Sequence, residues 1–162
     1  MPDTSAMLQD SFMLTAVFRI IATDWMSDCP RLSAVRRAVF IDEQQVPEAL
    51  EWDEHDEPAL HWLALDPNEQ AIGCARLLPD GHIGRMAVMP EWRGRGVGRA
   101  LLETALQAAY ERGYPVVMLS AQNRAVPYYA RFGFRAVGPE YLEAGIAHVA
   151  MILDSISPIG SN

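Results

Sequence analysis

Three glycines alternate with other residues in one short stretch, and arginines surround them. The stretch runs from Arg93 to Arg99 as Arg-Gly-Arg-Gly-Val-Gly-Arg. Glycine lacks a Cβ, so a ligand can approach its backbone closely. The apolar spacing that follows predicts a helix over 98–112, and the first turn of a helix has unpaired N–H groups at the positive end of its dipole. Together these features predict a pyrophosphate site, although a glycine turn with solvated arginines is the simpler alternative.

Two common nucleotide-binding motifs fail in this stretch at a required residue. A P-loop needs a lysine, and the chain has none. A dinucleotide fingerprint needs Gly-x-Gly-x-x-Gly, but the last position is Arg99 when counted from Gly94 and Leu101 when counted from Gly96. The turn therefore predicts a phosphate ligand without predicting a P-loop or a Rossmann site.

The charge of the chain is negative overall and unevenly distributed. Its formal net charge is −8, and all 13 basic residues are arginine. Residues 85–135 contain 8 arginines and 3 acids, whereas residues 42–57 contain eight acids and no base. The overall balance argues against nucleic acid and anionic lipid as partners. The basic stretch indicates a local anion site, unless the charges cluster by chance.

Cysteine usage and hydropathy point to a cytoplasmic protein. Cys29 and Cys74 are far apart and form no Cys-x-x-Cys, so neither a disulfide framework nor a metal site is predicted. The longest apolar runs are shorter than the ~18 residues that a membrane span needs. The N-terminus, Met-Pro-Asp-Thr-Ser, carries acid where a signal peptide carries base. We expect no membrane association.

The order of the predicted elements is typical of a mixed α/β sheet. Strands are predicted over 14–21, 61–65, 71–77, 82–88, 116–120, 134–137 and 146–153. Helices are predicted from near Pro30 to Phe40, over 98–112 and over 125–132. We expect a flexible leader over 1–13, one domain over 14–154 and a frayed tail over 155–162.

Several motifs resemble the GNAT acetyltransferase superfamily. The glycine turn fits that superfamily's pyrophosphate loop, Arg/Gln-x-x-Gly-x-Gly, and Met86–Pro90 resembles its fourth strand. The block Tyr129–Phe134 resembles its tyrosine followed by Gly-Phe, and 36–44 and 143–148 resemble the ElaA-like branch. The resemblance implies an α/β (α+β) fold with a single GNAT-like domain. Its mixed central sheet would carry helices on both faces and a splay between the fourth and fifth strands.

The resemblance implies acetyl-CoA as cosubstrate, lying in the splay, with no metal. Backbone groups of Met86 and Val88 would pair with the pantetheine arm, and a donor near Met86 or Ala87 would polarise the acetyl carbonyl. The turn would bind the pyrophosphate through Arg93, Gly94, Arg95, Gly96, Val97, Gly98 and Arg99. The superfamily often has an asparagine seven residues before the tyrosine. This chain has Gln122 there and Asn123 one place later, and either one could contact the cofactor.

The implied reaction is transfer of the acetyl group to a primary amine in a ternary complex. Tyr129 would protonate the leaving thiolate, whereas its neighbour Tyr128 lies about 100° further around the helix. A buried structural thiol is preferred over an acyl-cysteine role for Cys74. The candidate bases are Glu43, Glu51, Asp53, His61 and His148.

The acceptor side is predicted from Glu43, His61 and His148, although a lone histidine is more often structural. The acids of 42–57 favour a cationic small amine or a peptide N-terminus as the acceptor, unless they are only a solvated face. A non-catalytic module of the same fold, which binds or senses acyl-CoA, is the alternative function. Whether the chain forms a homodimer is left open.

Overall fold

The computed structural model describes residues 17–158. The predicted leader, the first residues of the first predicted strand and the end of the tail lie outside the described residues. The strands are β1 (Arg19–Thr23), β2 (Leu60–Leu65), β3 (Ala71–Leu77), β4 (Ile83–Val88), β5 (Val117–Gln122), β6 (Arg135–Glu143) and β7 (Ile146–Leu153). The α-helices are α1 (Trp25–Arg36), α2 (Glu48–Glu51), α3 (Val97–Glu111) and α4 (Val126–Ala130), and a π-helical turn (Arg37–Glu43) directly follows α1.

The strands form two antiparallel sheets that meet at one point. One sheet has the order β1-β2-β3-β4, and the other has the order β5-β7-β6. They are joined at a parallel bridge between His82 and Met118, where the N–H of Met118 donates to the carbonyl of Gly81 at 3.0 Å. Past this bridge, β4 and β5 separate. The α/β fold with a splay between the fourth and fifth strands is therefore confirmed.

Helices cover both faces of the larger sheet, as predicted. Alternate residues of a strand point to opposite faces. Trp62 and Ala64 of β2 accordingly belong to the core under α3, whereas Leu63 and Leu65 belong to the core under α1. The apolar stripe of α3 is buried as its spacing predicted, with Leu101 among its fully buried residues. Burial of these two layers fixes the sheet between the helices.

Most predicted elements are present, with three differences. The first helix starts at Trp25, before Pro30, because the Asp24 side chain caps it by accepting from the N–H of Ser27 at 2.8 Å. A kink at Asp28 accommodates the proline. The helix predicted over 125–132 is shorter, a 3₁₀ turn followed by α4. The strand predicted over 134–137 continues through an irregularity to form the long β6.

The described part of the predicted tail, Ser155 to Pro158, has no helix or strand, yet its Ile156 packs against the main core. Within 17–158, no helix is long and apolar enough to cross a membrane. The same residues contain no group of histidine, cysteine or acidic side chains that could hold a metal ion.

A buried network of charges anchors the acidic stretch to the sheet. Arg36 on α1 donates to Glu51 at 2.8 Å and to Asp56 at 2.6 Å, and its side chain is 1% exposed. Arg76 on β3 donates to Asp53 at 2.8 Å and to Asp56 at 3.0 Å. The alternative that these acids are only a solvated face is therefore wrong for Glu51, Asp53 and Asp56, which pair with arginines of α1 and β3.

Hydrogen bonds outweigh desolvation in this network. Burial alone would lower the pKa of Arg36, but hydrogen bonds to Asp56 and Glu51 raise it above its ordinary value. Burial would likewise raise the pKa of Asp53, yet the hydrogen bond from Arg76 holds that pKa below its ordinary value. These groups remain charged at neutral pH, so removal of one member leaves buried charges without a partner.

We predict that Arg36→Met lowers the free energy of unfolding by about 3–5 kcal/mol, because Glu51 and Asp56 lose their main donor while still buried. Arg37→Met is the matched control. Arg37 pairs with Glu48 at 2.5 Å, but the two side chains are 47% and 55% exposed. Its loss should cost less than about 1 kcal/mol. Equilibrium unfolding in urea checks both variants, and equal midpoints would contradict the structural role of the network.

Candidate active site

A cleft opens where β4 and β5 separate, and it contains two connected cavities. The helix-side cavity, of about 1010 Å³, is bordered by the start of α3 and by α4. The hairpin-side cavity, of about 560 Å³, is bordered by the β6–β7 hairpin and by α2. The residues that border both cavities are Gln44, Met86, Gln122, Arg124, Ala125, Tyr129 and Ile146. A ligand in one cavity can therefore meet a ligand in the other at these residues.

The edge of β4 that faces the cleft has free backbone groups. The N–H of Met89 donates to the carbonyl of Ile72 on β3 at 2.8 Å. Because the direction of backbone groups alternates along an antiparallel strand, Ala87 also points its groups at β3, whereas the N–H of Val88 points at the cleft. The pairing of β3 with β4 shifts register between Gly84 and Ala87, and Arg85 there has a left-handed φ of 47°. This bulge turns the strand at the junction of the cavities.

The first turn of α3 faces the helix-side cavity without a side-chain cap. Gly96 at the N-cap has φ 84°, a conformation that glycine adopts easily, and no side chain accepts hydrogen bonds from this end of the helix. Ideal Cβ atoms built on Gly94 and Gly96 would meet nothing within 4 Å. A Cβ on Gly98 would lie 3.7 Å from Val88 Cγ2, and both residues border the cavity. The backbone donors of this turn are thus open to a ligand.

The three arginines of the turn differ in their surroundings. Arg93 is held on both sides, because its Nε donates to the carbonyl of Val88 at 3.1 Å and its Nη2 lies 2.5 Å from Glu43. Arg99 pairs with Glu103 one turn along α3, at 2.7 Å. Arg95 stacks its guanidinium 5.0 Å from the centre of the Trp92 ring and makes no ion pair with a described residue. Arg95 is therefore the most available phosphate ligand of the three.

Tyr129 lies at the junction of the two cavities. Its ring packs edge-on against Tyr128 and Phe134, at 5.4 and 6.1 Å between ring centres. Burial raises the pKa of Tyr129 above its ordinary value, and its hydroxyl makes no hydrogen bond with any residue over 17–158. Tyr128 was expected to point elsewhere, yet it borders the helix-side cavity as well; it does not border the hairpin-side cavity.

The end of β5 brings both candidate amides to the cleft. Gln122 borders both cavities, and its Nε2 donates to Gln44 at 3.2 Å. Asn123 borders the helix-side cavity, but its amide already donates to Glu140 at 2.6 Å. The predicted cofactor contact of Asn123 would therefore compete with this hydrogen bond.

The predicted acceptor residues are not brought together. Glu43 binds Arg93, and that hydrogen bond lowers its pKa. His61 is 1% exposed, and its Nε2 lies 2.7 Å from the carbonyl oxygen of Asp56, outside the residues that border the cleft. Burial lowers the pKa of His61, so the ring is neutral within the core. His148 borders the hairpin-side cavity, and its acceptor contact stays a prediction.

The buried thiol of Cys74 does not take part in the site. Burial raises its pKa to about 12, and its Sγ donates to the carbonyl of Arg85 at 3.2 Å. Because the thiolate is the nucleophilic form, the thiol has no nucleophilic role at neutral pH. The preference for a structural cysteine agrees with this position.

Sequence reasoning missed several residues that border the cleft. Glu143 lies at the end of β6 and Ile146 at the start of β7, so both come from the β6–β7 hairpin. Arg124 follows β5 directly and borders both cavities. The available signal was its position in the basic stretch, directly after the two candidate cofactor amides. By that signal Arg124 is as strong a candidate for binding an anion as the arginines of the glycine turn.

Known proteins are similar to this chain in sequence and in architecture. A family model described as Acetyltransferase (GNAT) domain matches residues 27–155. Uncharacterized N-acetyltransferase YjcF of Bacillus subtilis (strain 168) is 36% identical over 124 residues, which cover 74% of this chain and 88% of that protein.

Solved structures agree with the family model. An acyl-CoA N-acyltransferase from Pseudomonas aeruginosa superposes with a TM-score of 0.76 at 33% identity, covering 83% of this chain and 98% of the other. Escherichia coli ElaA superposes with a TM-score of 0.74 at 28% identity, with coverage of 83% and 98%. The resemblance noted in the glycine turn and the tyrosine block is confirmed: the chain belongs to the GNAT acetyltransferases.

Proposed function

We propose that the chain transfers an acetyl group from acetyl-CoA to a primary amine by direct attack while both substrates are bound. The family uses an acyl-CoA cosubstrate. The observation that carries the proposal is the junction at Tyr129, where one cavity suited to the cosubstrate opens into a second cavity. An amine in the hairpin-side cavity could reach a thioester there without a covalent enzyme intermediate.

The residues of the helix-side cavity fit the cosubstrate. The free N–H of Val88 can pair with an amide of the pantetheine arm, as in the addition of a strand to a sheet edge. The open N–H groups at the start of α3 can bind the pyrophosphate, and the unpaired Arg95 adds positive charge. Arg93 would support the site indirectly by holding Glu43 and the end of β4.

Tyr129 is proposed as the general acid. As the amine nitrogen bonds to the carbonyl carbon, the carbon–sulfur bond breaks, and the departing sulfur takes up a proton. The raised pKa keeps the Tyr129 hydroxyl protonated at neutral pH, so the proton is available. A backbone N–H at the bulge near Met86 would stabilise the negative charge that develops on the carbonyl oxygen.

His148 is proposed as the group that accepts the proton of the amine, through water. Its Nδ1 lies 2.7 Å from the carbonyl oxygen of Ile146. A carbonyl only accepts hydrogen bonds, so this nitrogen carries the proton, and Nε2 of the neutral ring keeps its lone pair. Glu143 lies 3.4 Å from Nε2 and would stabilise the imidazolium once it forms. Arginines hold the other cleft-lining candidates, Glu43 and Glu51.

The acidic stretch gives little support to an acceptor chosen for positive charge. Arginines pair with five of its eight carboxylates, namely Glu43, Glu48, Glu51, Asp53 and Asp56. The stretch therefore presents much less free negative charge than its composition indicates. We propose a small amine as the acceptor, bound by the side chains that border the hairpin-side cavity.

We predict that Gly98→Ala raises the Kd for CoA by about tenfold or more while the protein remains folded. The added methyl lies beside Val88, in ordinary contact at 3.7 Å, so it occupies ligand space without disturbing the chain. Alanine should also favour the helix slightly. Gly84→Ala is the matched control, because Gly84 borders only the hairpin-side cavity and has open space for a Cβ. Calorimetry with CoA would contradict the assignment if both variants bound like wild type.

We predict that Tyr129→Phe lowers turnover by about 10²-fold or more and leaves the Kd for CoA nearly unchanged, since it removes only the proton donor. Tyr128→Phe should change turnover by less than about threefold, because Tyr128 does not reach the junction. Thiol release with a panel of amines measures both variants. Tight CoA binding without turnover of any amine by the wild type would instead favour a binding or sensing module.

We predict that His148→Gln lowers kcat/KM for the amine by about 10²-fold, because glutamine fills similar space without a basic nitrogen. The Kd for CoA should remain close to that of wild type, since His148 does not border the helix-side cavity. Steady-state kinetics at saturating acetyl-CoA provides the measurement. Normal kcat/KM in this variant would leave water alone as the proton acceptor.

A further inference from the structure

We propose that the acceptor carries an anionic group, a carboxylate or a phosphate, in addition to its amine, and that Arg124 binds this group. The inference rests on the proposed function, because it names the chemical class of the amine. Arg124 follows β5 and borders both cavities, at the junction where the acceptor would lie.

The guanidinium of Arg124 is oriented but not neutralised. Its Nε donates to Oε1 of Gln122 at 3.1 Å, and Nε2 of Gln122 donates to Gln44 at 3.2 Å. This chain of amides fixes the plane of the guanidinium from one side. Its two terminal nitrogens make no hydrogen bond or ion pair with the residues that the structure describes. They offer the two parallel donors that bind a carboxylate or a phosphate well.

The other arginines that border the cleft are already paired. Arg93 binds Glu43 at 2.5 Å. Arg85 lies 3.1 Å from Asp53 and 3.3 Å from Glu51. Among the described residues that border the two cavities, Arg124 is thus the arginine without a carboxylate partner. Its charge still acts on Glu43, whose pKa it helps to lower, but no oxygen of Glu43 forms an ion pair with it.

An acceptor with only a positive charge would leave the guanidinium of Arg124 without an anionic partner. A ligand that fills the cavity displaces water, and a guanidinium that loses water without gaining an anion is costly. Glu143 supplies negative charge at the hairpin-side cavity: its side chain is 57% exposed, and it lies 3.4 Å from His148. A small molecule with an ammonium and an anionic group would match both charges.

Replacement of Arg124 tests the inference without disturbing the buried network, because Arg124 is exposed and outside it. The probes are matched pairs, L-leucine with L-leucinamide and O-phosphoethanolamine with ethanolamine. Arg124→Met should lower kcat/KM for leucine and phosphoethanolamine, which carry an anionic group, by about 10–100-fold, the usual effect of a charge-assisted contact. It should affect leucinamide and ethanolamine, which lack that group, far less. Comparison of variant with wild type for each probe cancels differences in amine reactivity.

Two further variants separate charge from geometry and from location. Arg124→Lys keeps the charge but loses the planar pair of donors, so it should lie between wild type and Arg124→Met. Arg112→Met removes the same charge at the far end of α3, away from the cleft. It should leave unchanged the ratio of kcat/KM between acceptors with and without the anionic group. Equal losses for both members of each pair in Arg124→Met would overturn the inference. A raised Kd for CoA with an unchanged ratio would also overturn it, by assigning Arg124 to the cosubstrate.

Calorimetry on the CoA-loaded protein distinguishes failure of this inference from failure of the proposed function. If no amine is acetylated but anionic amines bind and Arg124→Met weakens them, the inference holds and the proposed reaction fails. If amines with and without the anionic group bind equally, or if neither kind binds, the inference is overturned whether or not turnover occurs.

Discussion

The parallel bridge between His82 and Met118 sets the geometry on which the cleft depends. Strands that remain paired satisfy their backbone groups with each other, and no ligand could enter between them. Here the pairing stops after one bridge, so the N–H of Val88 faces the open cleft, while its carbonyl accepts from Arg93. The two antiparallel sheets hold the strands apart at their far ends, because each is fixed by its own partners. The cleft is thus a consequence of how the sheets are built, and its rigidity comes from the cores behind them.

The buried charge network plays a related part on the acceptor side. It ties α1, β3 and β4 to the segment around Glu51 and Asp56, which borders the hairpin-side cavity. A segment of this composition would otherwise gain little from packing on the sheet, since charged side chains favour water. Pairing with Arg36 and Arg76 makes its position specific, and the negative charge that composition suggests is largely cancelled.

The parts of the fold predicted from sequence were those with local signals. Short apolar segments located β3 and β7, and the apolar stripe located α3 to within one residue. The glycine turn and Tyr129 were found because their spacing resembles a family pattern. The partners of Glu43 and His61 could not be found, since those contacts join residues far apart in sequence: Glu43 meets Arg93, and His61 meets the core. Charge counts alone cannot tell a solvated acid from a buried pair.

The two cavities also differ in which part of the chain determines their chemistry. The helix-side cavity relies on backbone donors at the start of α3 and along β4, so its chemistry follows from glycine positions and strand geometry. The hairpin-side cavity relies on side chains such as Arg124, which follows β5, Glu143 at the end of β6 and His148 in β7. Substitution of a few side chains can change the second cavity without disturbing the first. Under the proposed function, the cosubstrate site could therefore stay constant while the amine changes, and the identity of the acceptor would be determined by these side chains.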